Sequence, residues 1–138
     1  HYQYTISCFP TALHFPLVWI TQNPLDSKLF AGELRDITGR HDFSCFSIPR
    51  HDGRTTECMV SRAELEVRKS RFQIHLEANR FLHKMVRSIV GACYDVARKN
   101  RSPGLIKSIF SNEFDGEHTW APSCGLCLKK VSYPDYEF

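Results

Sequence analysis

Residues 79–91 combine a series of basic side chains with regularly spaced apolar ones. The segment contains Arg80, His83, Lys84 and Arg87, and no acidic residue lies within it. Guanidinium and ammonium groups bind phosphate groups, and a cation beside a carboxylate keeps that carboxylate ionised. This segment is therefore the first candidate for a functional site.

A helix from residue 80 to residue 100 would separate these residues into two faces. The apolar face would hold Leu82, Met85, Val86, Ile89, Cys93, Val96 and Ala97, and the basic face Arg80, His83, Lys84, Arg87, Gly91, Tyr94 and Arg98. The basic face has no acidic partner before Asp95, so it lacks the ion pairs of an ordinary exposed helix. Gly91 costs about 1 kcal/mol relative to alanine, which indicates close approach by another backbone or by a ligand. The alternative is a surface helix whose charges are solvated.

Composition bounds the class of protein without identifying its function. With 138 residues and 42% hydrophobic content, the chain is predicted to form one globular domain. The net charge of +3 does not by itself indicate nucleic-acid binding. No apolar run approaches the length of about 20 residues that crosses a bilayer. We therefore expect a protein without membrane segments.

Six cysteines occur in a chain with no signal-peptide pattern, which favours reduced thiols in a cytoplasmic protein. Cys124 and Cys127 have the spacing of a zinc-binding pair. Structural zinc normally requires a second ligand pair, and none is well placed. We therefore predict no metal site at this cysteine pair.

The remaining sequence predicts an α+β fold, an antiparallel or mixed sheet with helices packed on one face. The signals are an alternating strand at residues 2–6, a helix capped by Asp26, a hairpin through residues 65–78 and a short helix capped by Ser102. A last strand is predicted within residues 122–133, with Leu126, Leu128 and Val131 facing the core. These elements would place the long basic helix against the sheet.

Several segments agree in order and spacing with one known family. They are residues 2–4, 39–46, 79–91, 121–122, 125–128 and 131–134, of which the most specific is the Phe-x-x-x-Met-Val-Arg-x-x-Val-Gly element at 81–91. The chain resembles the C-terminal half of the tRNA pseudouridine synthase A family over nearly its whole length. The resemblance implies a pseudouridine synthase-like fold, isomerisation of uridine to pseudouridine in the tRNA anticodon arm, no cofactor, a cytoplasmic location and a homodimer.

The resemblance also implies the site residues. The family's nucleophile is an aspartate in an Arg-Thr-Asp-x-Gly motif of its N-terminal half, and this sequence contains no such motif. We therefore expect residues 1–138 to be a single C-terminal domain, inactive alone, whose N-terminal catalytic half is absent. Asp42 is not that aspartate, because it lies in a His-Asp-Phe element at 41–43 that resembles a structural part of the family.

Four residues are implied to form part of the active site: Arg87 pairs with the missing aspartate, Tyr2 stacks on the target base, and Leu126 and Gly125 belong to the uracil pocket. For each main candidate another interpretation is open. Arg87 could pair with Asp95, Tyr2 could be buried against the sheet, and Leu126 could be a core residue.

Five basic residues are candidates for tRNA phosphate contacts: Arg80, Lys84, Arg98, Arg40 and His41. Such contacts are independent of base sequence and weaken with salt. Two departures from the family pattern are His1, where an arginine is usual, and residues 55–58, which lack an expected arginine. A different class of function, a non-catalytic RNA-binding or dimerisation module, would use the same basic residues.

Overall fold

The computed structural model describes residues 1–8, 18–49, 53–69, 71–114 and 116–130. Within these ranges it contains six strands and three helices, which confirms the predicted α+β class. The strands are β1 (Tyr2–Ser7), β2 (Trp19–Ile20), β3 (Gly39–Asp42), β4 (Glu57–Arg68), β5 (Arg71–Ala78) and β6 (Leu126–Leu128). The helices are α1 (Ser27–Arg35), α2 (Met85–Ala97) and α3 (Leu105–Phe110).

The strands form one mixed sheet in the order β2-β1-β5-β4-β3, with β6 paired to β1 beside β2. The predicted hairpin is confirmed, because Val67 pairs with Phe72 and Leu65 pairs with Ile74 across the β4–β5 turn. β1 is antiparallel to both β5 and β6. This topology brings residue 2 next to the C-terminal strand.

One face of the sheet carries the core. The fully or nearly fully buried side chains on it are Tyr4, Ile6, Val60, Phe72, Ile74 and Leu76. Because successive side chains of a strand point to opposite faces, this alternation leaves polar residues on the other face. α1 packs against β4 and against α2 on the core side. The predicted cap of α1 is confirmed, since Asp26 Oδ1 accepts hydrogen bonds from Lys28 N at 3.0 Å and Leu29 N at 3.2 Å.

The long helix differs from its prediction in extent and in environment. α2 begins at Met85 and not at Arg80, because Lys84 has a left-handed backbone with φ of 61°. Every residue of α2 except Arg87 is buried, so the predicted basic face is wrong. Gly91 and Tyr94 lie inside the fold. None of the helices in the described ranges has the length and apolar character needed to cross a bilayer.

The N-terminus of α3 is stabilised by Glu33 of α1, not by Ser102 as predicted. Gly104 occupies the capping position. Glu33 is 3% exposed, and its carboxylate accepts hydrogen bonds from Gly104 N at 2.5 Å and from Ile106 N at 2.9 Å. A negative charge at a helix N-terminus is favourable, because the first amide groups there have no partner within the helix. Glu33 thus joins α1 to α3.

We expect Glu33→Gln to lower the free energy of unfolding by about 2–3 kcal/mol. The two backbone N–H groups bond to different carboxylate oxygens, and the amide replaces one of these oxygens with an NH₂ donor, so one buried N–H loses its acceptor. Urea unfolding measures the change. The control is Glu113→Gln on an exposed residue after α3, which we expect to shift stability by less than about 0.5 kcal/mol. Equal effects of the two substitutions would contradict the role of Glu33.

The C-terminal strand is shorter than predicted. A 3-10 turn at Ser123–Gly125 precedes β6, which covers Leu126–Leu128. Leu126 is half-buried and packs against the core, as predicted, whereas Leu128 is 51% exposed. Leu128 shares the sheet face of Leu126, as residues two apart in a strand must, but it lies beyond the covered part of that face, so its predicted burial in the core was wrong. Val131 lies outside the described residues.

Candidate active site

An open cleft of about 350 Å³ lies at the N-terminal end of α2, beside β1 and β6. Its lining comes from five separate parts of the chain: residues 2, 47–49, 54–56, 80–87 and 126. A cleft of this volume is within the range of small-molecule binding sites. The cleft brings together Tyr2, Arg87 and Leu126, which are far apart in the sequence.

Arg87 projects from a buried helix into this cleft. Its Nε donates a hydrogen bond to the carbonyl oxygen of Ala121 at 2.7 Å. Among the described residues, no acidic side chain forms an ion pair with Arg87. The alternative partner, Asp95, instead accepts hydrogen bonds from Thr119 and pairs with Arg98 at 3.4 Å. Arg87 thus lines the cleft without an ion pair among the described residues, and a guanidinium group can bind a carboxylate or phosphate with two parallel hydrogen bonds.

Tyr2 and Leu126 form an apolar wall of the cleft. The Tyr2 ring meets the Phe81 ring edge to face, with centroids 4.9 Å apart and an interplanar angle of 88°. Leu126 is half-buried and also contacts the core, so the packing and lining interpretations of this residue hold together. Gly125 is placed differently. It does not line the cleft, and a Cβ atom there would lie 2.7 Å from the Thr5 carbonyl oxygen, which indicates a packing role.

The cleft is electrostatically positive. Arg54, Arg80, Lys84 and Arg87 all line it, and none of its described lining residues is acidic. The Arg80 guanidinium donates to the carbonyl oxygen of Thr55 and so connects the loop before β4 with the segment before α2. Like charges around one concave surface raise the local concentration of anions. The cleft is therefore suited to a polyanion or to a carboxylate from another part of a protein.

The predicted RNA-contacting residues fall into two groups. Arg80 and Lys84 line the cleft. Arg98 lies at the other end of α2, about 16 Å beyond Arg87 at 1.5 Å per residue, and pairs with buried Asp95. Arg40 and His41 lie on β3 at the far edge of the sheet. Arg40 pairs with Glu57 at 2.9 Å, and the His41 ring stacks on Phe110 with centroids 4.4 Å apart. The structure therefore does not assemble all five into one surface.

Asp42 does not line the cleft, and its contacts are those of a turn residue. Its carboxylate accepts hydrogen bonds from Thr56 Oγ1 at 2.5 Å and from Ser44 N at 3.0 Å. These two hydrogen bonds hold the pKa of Asp42 below its usual range. Asp42 thereby holds Thr56 in place, at the point where the loop before β4 lines the cleft.

Sequence reasoning gave no role to the segment that supports Arg87, although residues 121–122 are among those that resemble the family. Ala121 contacts α2 through backbone atoms, which any residue type supplies. Thr119 contacts Asp95 through both its backbone N–H and its hydroxyl. Phe81, which packs on Tyr2, belongs to the Phe-x-x-x-Met-Val-Arg element. The signal for Phe81 was therefore present, although no role had been derived for it.

His118 precedes the same segment and gives a prediction about pH. Its imidazole lies 2.9 Å from Ser88 Oγ, and burial lowers its pKa. The unfolded chain therefore binds a proton more readily than the folded one, so stability is complete above about pH 6.5 and declines as pH falls toward the lowered pKa. We expect this group to add a slope of at most about 1.4 kcal/mol per pH unit. Urea unfolding at several pH values should show a smaller slope in His118→Gln, and an unchanged slope would contradict the prediction.

No three His, Cys, Asp or Glu side chains of the described residues lie close enough together to hold a metal ion. Cys124 is exposed in the turn before β6, and Cys127 is half-buried in that strand.

Comparison with known proteins identifies the family. The family model described as tRNA pseudouridine synthase matches residues 34–134. The chain belongs to this family. The matched range includes Arg87 and Leu126 of the cleft but not Tyr2.

Individual relatives extend the similarity to nearly the whole chain. The tRNA pseudouridine synthase A of Chlorobium luteolum is 32% identical over 135 residues, which are 97% of this chain and 53% of that protein. The tRNA pseudouridine synthase A of Picosynechococcus sp. is 34% identical over 138 residues, covering 97% of this chain and 50% of that protein. The tRNA pseudouridine synthase A 2 of Clostridium perfringens is 30% identical over 125 residues, which are 90% of this chain and 51% of that protein. The chain thus spans about half the length of the curated relatives it matches.

Proposed function

We propose that this chain is the C-terminal part of a tRNA pseudouridine synthase that converts uridine to pseudouridine in the anticodon arm. The observation that carries the proposal is the convergence of Tyr2, Arg87 and Leu126 on one positive cleft without an acidic lining residue among those described. The reaction detaches uracil from its ribose and reattaches it through carbon. It requires a carboxylate, and the proposal takes that carboxylate from an N-terminal half that carries the Arg-Thr-Asp-x-Gly motif.

Each side chain of the cleft has a physical task in this proposal. Arg87 would pair with the incoming aspartate and keep it ionised, because an opposite charge nearby lowers a carboxylate pKa. Tyr2 would hold the flipped-out base by stacking, with Leu126 as the apolar wall beside it. Arg80 and Lys84 would bind backbone phosphates, which position an RNA without reading its bases. The relatives' printed names support tRNA as the substrate.

The resemblance to the family extends the proposal to the whole protein. Residues 1–138 would form one domain, completed by the N-terminal half, in a homodimeric cytoplasmic enzyme that needs no cofactor. Light scattering on the complete protein would measure the number of subunits.

Release of tritium from 5-labelled uridine tests the function, because the new glycosidic bond replaces the hydrogen on C5. We expect release into water by the complete protein acting on tRNA, and none by residues 1–138 alone. Release should continue with an isolated anticodon stem-loop, and it should cease with a whole labelled tRNA in which only the anticodon-arm uridines are replaced by cytidines. Release by the 138-residue chain alone would contradict the need for the second half. Binding of tRNA without release by the complete protein would favour the non-catalytic RNA-binding module.

A further inference from the structure

A short segment, residues 119–121, runs along α2 and contacts three residues spaced four apart. Asp95 Oδ2 accepts from Thr119 N at 2.7 Å, and Asp95 Oδ1 accepts from Thr119 Oγ1 at 2.6 Å. Gly91 leaves room for the Thr119 carbonyl, which would lie 1.7 Å from a Cβ atom at this position. Arg87 O accepts from Ala121 N at 3.0 Å, and Arg87 Nε donates to Ala121 O at 2.7 Å.

We propose that Asp95 and Thr119 are positioning residues for the Arg87 guanidinium. They hold the segment whose Ala121 carbonyl fixes the direction of the arginine side chain. The proposal rests on the proposed function, because it assumes that Arg87 acts in the cleft. Neither Asp95 nor Thr119 lines that cleft.

The hydrogen bonds between Asp95 and Thr119 hold residues 119–121 in one position on α2. Asp95 is 2% exposed, and a buried carboxylate requires several hydrogen bonds to remain charged. Thr119 supplies two of these bonds from one residue, so the carboxylate sets both the position and the orientation of the segment. A free arginine side chain loses about 2 kcal/mol of rotamer entropy when it is fixed. The bond to Ala121 fixes Arg87 before any ligand enters.

A catalytic group that is preorganised contributes more than a mobile one, and misplacement by about 1 Å can cost about 10²-fold in rate. The segment between Thr119 and Ala121 is two peptide units long, so a change at Thr119 is transmitted directly to the Ala121 carbonyl. Loss of the Thr119 contact should therefore reduce turnover with little change in tRNA binding.

The first test is a double-mutant cycle in the complete synthase. Thr119→Val preserves the side-chain shape but removes the hydroxyl donor, and we expect kcat to fall about ten- to a hundred-fold with KM within about two-fold. Thr119→Ser, which keeps the hydroxyl, should restore most of the rate. In an Arg87→Lys background, Thr119→Val should lower kcat by no more than about two-fold. If Thr119→Val lowered kcat by the same factor with arginine and with lysine at position 87, the role of Thr119 would be merely structural and the proposal would be overturned.

The second test does not depend on isomerase activity. The Arg87 side-chain Nε–H, assigned by its absence in Arg87→Lys, should be protected from hydrogen exchange in the full chain. We expect protection to fall at least about ten-fold in Thr119→Val and in Asp95→Asn, and to persist in Thr119→Ser. Unchanged protection in both of the first two variants would overturn the positioning role. If protection falls while Arg87→Lys leaves turnover intact, the positioning is upheld and the proposed function of Arg87 fails.

Discussion

Arg87→Ala in the complete synthase is expected to lower kcat by about 10³-fold and to change tRNA affinity less than about five-fold. The guanidinium is the one group of α2 that is not buried, and it faces the cleft beside Tyr2. An interaction made mainly in the transition state affects turnover more than binding. Single-turnover tritium release measures the first quantity, and filter binding of unlabelled tRNA measures the second.

Two control variants separate charge from geometry. Arg87→Lys retains the positive charge but lacks the planar fork and the Nε donor that binds Ala121, so its kcat should lie between those of wild type and Arg87→Ala. Arg68→Ala removes a guanidinium that is 79% exposed at the β4–β5 turn, and it should leave kcat within about two-fold of wild type. Equal losses of turnover and affinity in Arg87→Ala would identify Arg87 as a tRNA-binding residue and contradict its assignment to the aspartate.

The elements that could be predicted are those determined by neighbouring residues. The β4–β5 hairpin followed from two alternating apolar runs on either side of a basic turn, and the structure pairs Val67 with Phe72 across that turn. The start of α2 could not be found in this way, because Phe81 and Leu82 continue the apolar pattern while Lys84 adopts a left-handed backbone. The cap of α3 depends on Glu33, which lies 71 residues before Gly104. Contacts at such separations follow from tertiary packing, which a local pattern does not contain.

In the site, the sequence identified residues that act through their side chains but not residues that act through their backbone. The resemblance to the family singled out Arg87, Tyr2 and Leu126, and the structure places all three around one cleft. The support of Arg87 was missed because Ala121 acts through its carbonyl and amide groups. Any residue type supplies those groups, so composition could not reveal them. The close approach predicted at Gly91 does occur, and the approaching group is the backbone of Thr119.

Gly91→Ala is expected to lower the free energy of unfolding by about 3 kcal/mol or more. The added methyl would lie 1.7 Å from Thr119 O and 2.5 Å from Thr119 C, both backbone atoms that cannot rotate away. The segment must therefore move off α2, and buried Asp95 then loses the Thr119 donors. Urea unfolding measures the stability, and the Arg87 Nε–H exchange rate reports whether the segment has moved.

The matched control is the same substitution in α1. Nothing lies within 4 Å of a Cβ atom built at Gly32, and alanine is favoured over glycine inside a helix, so Gly32→Ala should stabilise the protein by about 0.5–1 kcal/mol. The gain in helix propensity is common to both substitutions. If Gly32→Ala raises the free energy of unfolding and Gly91→Ala lowers it, the loss at Gly91 must therefore come from the contact with Thr119. A stabilising Gly91→Ala would mean that the segment does not lie against α2, and the anchoring of Arg87 through Ala121 would then be wrong.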